Sequence, residues 1–141
     1  MLVGDGSLHE DLMLQVKQMG VPNVVFTGRV DNGEIVQYLD QADVMLSAPK
    51  VDNMPVSLIE AMNAGLLIIS SNVGGVPYMI EDGVDGLLFE SDNDQELAEK
   101  MIWAVNNPGE VRTLIHNASQ RVKDYSWDRV KDKLYQLYRI I

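Results

Sequence analysis

The chain has 141 residues and 15.7 kDa, with 21 Asp+Glu against 11 Lys+Arg and no cysteine. That length fits one domain spanning residues 1–141 and is too short for two large ones. A net charge of −10 argues against a nucleic-acid groove or a basic membrane patch. The lack of cysteine excludes disulfides, thiolate metal sites and a Cys nucleophile, and it fits a reducing, cytoplasmic setting. No apolar run is long enough to span a membrane, and no charged-then-apolar leader opens the sequence.

Short apolar runs alternate with helical patterns. Val24–Phe26, Val44–Leu46, Leu66–Ile69 and Leu87–Phe89 are each bounded by Gly, Asp, Asn or Ser, and Met1–Val3 resembles the remainder of another run. Without period-2 alternation, such runs read as strands buried on both faces of a parallel sheet. Between them, Leu8, Leu12, Val16 and Met19 share one helix face, and Ile35, Leu39 and Ala42 share another. A third helix starts at Pro55, where a missing N–H costs nothing, and stops near Gly65.

After Phe89 the pattern is helical alone. Asp92 with Gln95 reads as an N-cap arrangement leading into Leu97, Met101, Ile102 and Val105. Asn107-Pro108 opens a helix with Val111, Leu114, Ile115, Ala118 and Val122 on one stripe. Ser126 caps a last helix in which Trp127, Val130, Leu134, Leu137, Tyr138 and Ile141 follow helical spacing, with the aromatics read as packing residues. Strands alternating with helices give an α/β fold, a Rossmann-like open parallel sheet with flanking and C-terminal helices.

The segment from Ser47 to Gly65 is the densest in potential chemistry. It leaves the carboxyl end of a parallel strand, where open α/β sheets bind ligands. The amides of Val56 and Ser57 fall in a first helical turn, unpaired within the helix and suited to a phosphate. Asp52 and Glu60 can accept hydrogen bonds from sugar hydroxyls. By residue type alone the favoured reading is plainer: Asp52 caps the turn and Glu60 pairs with a surface lysine. Two other loops, Phe26–Val30 and Ser70–Pro77, carry glycines that permit close approach of a ligand. Gly83 and Gly86 read as turn residues. His9 and His116 have no partners at a metal-binding spacing. Neither a G-x-S-x-G elbow nor a Walker A lysine motif occurs.

Taken in order, Leu2-Val-Gly-Asp-Gly6, Val24–Val30, Ala42–Val44, Asp52–Met62, Asn72–Pro77, Gly83–Leu88, Ser126-Trp127 and Leu137-Tyr138 closely resemble the C-terminal domain of family 4 retaining glycosyltransferases, which have the GT-B fold. The resemblance implies transfer of a sugar from a nucleotide donor, UDP- or GDP-linked, with retention and without a metal or other cofactor. The family carries two acidic residues with seven residues between them, matched here by Asp52 and Glu60. By that analogy Asp52 contacts the transferred sugar and Glu60 the donor ribose. The backbone of Asn53, Met54, Val56 and Ser57 lines the sugar and diphosphate. Arg29 and Val30 match positions whose main chain meets the base.

The same resemblance implies an incomplete unit. Met1 falls at the family's second strand, so the first βα unit, the basic pair for the diphosphate and the N-terminal acceptor domain are expected to be missing. Met1–Val3 is then expected either to pair directly with Val44–Leu46 or to leave a sheet edge open to self-association. Two further readings stand beside an enzyme fragment: a nucleotide-sugar binding module without catalysis, and an inert folding or assembly unit. The family setting implies a cytoplasmic parent protein, peripheral at a membrane.

Overall fold

A computed structural model describes residues 1–138, arranged as two compact units, Met1–Tyr38 and the chain from Leu39 onward. In the first unit, α1 (His9–Met19) closes on Gly20, a left-handed residue whose amide reaches back to the Lys17 carbonyl. The first segment pairs with the one ending at Gly28 through isolated bridges, Leu2 with Phe26 and Gly4 with Gly28. Met1–Val3 and Val24–Phe26 are therefore bridges and not the buried strands their apolar character suggests. Gly4 (φ +126°) and Gly28 (φ +67°) turn the backbone out of extended geometry, and a two-segment pairing has no third strand to extend it. Leu8, Leu12 and Met19 lie exposed, so the apolar face of α1 is amphipathic without being buried. The short helix α2 (Ile35–Leu39) leads toward the second unit.

The second unit contains a parallel sheet of β1 (Val44–Ser47), β2 (Leu67–Ser71) and β3 (Leu87–Phe89) in the order β1-β2-β3. The register sets Val44 against Leu67 and Ile69 against Leu87. Around it run α3 (Val56–Ala64), α4 (Val76–Met79), α5 (Asp94–Asn106), α6 (Pro108–Arg121), a 3₁₀ turn (Val122–Tyr125) and α7 (Trp127–Tyr138). Alternate residues of β2 feed two cores, as successive side chains of a strand must. Ile68 joins Leu58, Ala61 and Met62 of α3, whereas Leu67 and Ile69 join Phe89 and Leu114. Every residue of β2 is buried, which is why Leu67–Ile69 are apolar without alternation, and the strand closes on the buried hydroxyls of Ser70 and Ser71.

β1 lies at the edge of this sheet, with Val44 and Leu46 exposed. Within the first unit the partner of Met1–Val3 is the Phe26 segment. The cap of α5 is shifted by one residue from the Asp92 reading. Asn93 is the N-cap, its side-chain oxygen accepting from the Glu96 amide at 3.1 Å, while Asp92 takes a left-handed φ of +62°. The inward stripe of α5 runs through half-buried Leu97 and Ala104, and Met101, Ile102 and Val105 face outward. On α6 the expected stripe holds, with Leu114 and Ala118 buried. Ser126 stands at the start of α7, its carbonyl accepting from the Arg129 and Val130 amides. Trp127, Tyr135 and Tyr138 are exposed, against the packing role expected of them. Ile141 lies outside the described residues.

Candidate functional site

The chain leaves β1 at Ser47, turns through residues 48–55 and enters α3 at Val56. Pro55 occupies the N-cap with an extended backbone (φ −66°, ψ 113°) and supplies no side-chain cap. Among the described residues, the amides of Val56 and Ser57 find no acceptor, while Leu58 N–H donates to the Pro55 carbonyl. Two donors therefore point out of the positive end of the helix.

The opposite face of α3 is fixed by burial, with Leu58, Ala61 and Met62 all at 0% exposure. Their burial rotates Val56, Ser57 and Glu60 outward together, because positions three and four apart share a helix face. Glu60 forms no ion pair among the described residues, so the surface-lysine reading fails. Asp52 is half-buried and its Oδ1 accepts from the Met54 amide at 3.1 Å, so the turn-capping role is present. Its Oδ2 is not engaged by that bond. Asn53 and Met54 are exposed beside it.

The glycine pair after β2 makes its close approach to protein and not to an open cleft. A Cβ on Gly74 would lie 2.0 Å from the Asp52 carbonyl oxygen, and one on Gly75 would lie 1.6 Å from that of Asn53. Gly75 N–H donates to the Asp52 carbonyl at 2.9 Å. The close approach expected for a ligand is made here by the 52–53 backbone. Lys50 pairs with Asp92 at 2.9 Å, both side chains being largely exposed.

Arg29 and Val30 belong to the first unit, where they line a cavity of about 420 Å³ with Gly4, Asp5 and Gly6. His9 lies in the same unit, its ring edge-on to Phe26 and its Nδ1 3.5 Å from Asp5 Oδ1. His116 is exposed on α6. Among the described residues, no three His, Cys, Asp or Glu side chains group closely enough to hold a metal ion. No helix there is long and apolar enough to cross a membrane.

An open parallel sheet with a polar loop and an uncapped helix start at its carboxyl ends defines a Rossmann-like ligand-binding fold. The chain belongs to the glycosyl transferases group 1 family, which it matches over residues 1–121. It is 33% identical over 137 residues to the Campylobacter jejuni GalNAc-alpha-(1->4)-GalNAc-alpha-(1->3)-diNAcBac-PP-undecaprenol alpha-1,4-N-acetyl-D-galactosaminyltransferase, covering 96% of this chain and 37% of that protein. Its fold matches Anabaena HepE, solved in complex with UDP-glucose, with a TM-score of 0.84 at 23% identity over 99% of this chain and 40% of that one. Sucrose-phosphate synthase from Thermosynechococcus elongatus gives a TM-score of 0.85 at 26% identity, covering 98% of this chain and 37% of that one. The chain thus spans well under half the length of these relatives.

Proposed function

We propose that this chain carries the donor-binding part of a retaining glycosyltransferase, which moves a sugar from a UDP- or GDP-linked donor to an acceptor. The nucleotide-sugar is substrate, and the reading calls on neither a metal nor another cofactor. Glu60 is assigned the ribose hydroxyls and Asp52 the transferred sugar. The backbone of Asn53, Met54, Val56 and Ser57 is assigned the sugar and diphosphate, and Arg29 and Val30 the base. One observation carries the proposal: at the start of α3, two amides and a carboxylate that have no partner among the described residues share an exposed face. An anion and a polyol together satisfy both groups. Catalysis then rests on positioning and on electrostatic stabilisation of the departing diphosphate.

Calorimetric titration of the chain with UDP, GDP, UDP-glucose and GDP-mannose tests this. Binding of one of them is expected, and Glu60→Ala should weaken it about ten- to a hundredfold, the loss of one or more hydrogen bonds to a charged acceptor. No binding by any of the four would overturn the reading. Catalysis is assigned to a parent protein that includes an acceptor domain, cytoplasmic and peripheral at a membrane. The 141 residues alone are accordingly expected to form no product, and robust donor-dependent transfer would refute that part. Binding without any transfer in the parent would favour the module reading.

A second reading, an assembly unit joined through the sheet edge, is favoured by the exposure of Val44 and Leu46 on β1. A monomer mass independent of concentration in sedimentation would exclude it.

A further inference from the structure

We infer that Ser71 is a positioning residue, holding the loop that presents Asp52 and Asn53. The inference rests on the donor-site assignment for its functional meaning, and on geometry alone for its mechanics. Ser71 is the last residue of β2 and is 1% exposed. Its hydroxyl donates to the Pro49 carbonyl at 2.6 Å, a contact spanning 22 residues of sequence. Three residues further along the loop, the Asp52 carbonyl accepts from Gly75 N–H. The 49–52 segment is therefore pinned at both ends by one stretch, 71–75. That stretch is itself fixed, because Asn72 N–H donates to the Phe89 carbonyl of β3 at 2.7 Å.

The two pins have different characters. The glycine pair brings backbone against backbone, with no room for a side chain between. Ser71 is the one side-chain contact of the pair and so the one that a conservative substitution can remove. Asp52 then spends one oxygen on the Met54 amide, which orients its carboxylate relative to the loop. With Pro49 released, the Asp52 backbone would keep one anchor and gain rotational freedom. A sugar or diphosphate would then have to order the loop on binding, which lowers affinity.

The test uses the full chain and two readouts. Amide hydrogen exchange at Gly75 and Met54 should accelerate about tenfold in Ser71→Ala, relative to the Ile69 amide of β2. Ser71→Thr, which keeps the hydroxyl, should exchange like wild type. For whichever of UDP and GDP the wild type binds, Ser71→Ala should weaken binding about tenfold. Leu114→Val, a core truncation away from the loop, should leave affinity unchanged. Unaltered relative exchange at both amides in Ser71→Ala would overturn the inference. So would wild-type affinity in Ser71→Ala where Glu60→Ala has lost it. If the wild type binds neither nucleotide, the donor-site reading fails while the exchange experiment still decides whether Ser71 holds the loop.

Discussion

The guanidinium of Arg121 meets the carboxylate of Asp85, which is 2% exposed. Asp85 also accepts from the Glu81 amide at 2.8 Å, and Arg121 reaches Glu81 Oε2 at 3.1 Å. Asn117 donates to the Val84 carbonyl at 2.7 Å. The end of α6 thus ties down the 81–86 turn that precedes β3. Arg121→Met keeps the aliphatic stem but leaves a buried carboxylate without its counter-charge. Stability should fall by about 3 kcal/mol in urea denaturation. In a double-mutant cycle with Asp85→Ala, a coupling of about 1–3 kcal/mol is expected. Strict additivity would contradict a direct pair.

Tyr125 lies beside this cluster. Burial pushes its phenol above the ordinary value near 10, with Asp85 and Asp124 adding to the shift and Arg121 opposing it. The neutral phenol is therefore favoured in the folded state. Its contribution to stability is complete below the unfolded value and is lost as pH rises through the folded one. Urea denaturation at a series of pH values above 9 should show a steeper alkaline decline for wild type than for Tyr125→Phe. Parallel curves would refute it.

Val56→Pro separates helix stability from anion binding. Position 56 is the first helical residue, and Pro55 already has the extended backbone that a following proline demands. Val56 is 63% exposed, so little packing is lost. The melting temperature should hold within a few degrees while nucleoside diphosphate affinity falls about tenfold, one charge-assisted hydrogen bond being removed. Undiminished affinity would mean that this amide does not face the diphosphate.

The cap of α5 offers a test of register. Asn93→Ala should cost about 1 kcal/mol, because the Glu96 amide loses its acceptor. Gln95→Ala should be neutral, since that side chain reaches outward to Glu99. Equal losses in thermal denaturation would argue against Asn93 as the cap.

Much of the second unit is legible in the sequence. Leu67–Ile69 of β2 are apolar without alternation because both faces of the strand are covered, and α3 is bracketed by Pro55 and Gly65, whose left-handed φ of +80° stops the helix. The acidic residues at 52 and 60 stand out as candidates only through the family resemblance. What escaped has a common physical cause: periodicity tells which residues share a face but not what covers it. Leu8 at the N-cap of α1, Leu12 within it, Met101 and Val105 of α5, and the α7 aromatics follow helical spacing yet lie exposed. Gly74 and Gly75 announce a close approach, but the approaching partner, the 52–53 backbone, is more than twenty residues away in sequence and is set by the fold.

That backbone contact has a genetic consequence. In a saturation library scored for function, positions 74 and 75 would tolerate almost no replacement and would stand out as sharply as ligand contacts. Their intolerance would come from the space taken by two carbonyl oxygens. A map of essential positions would therefore draw the binding surface larger than it is.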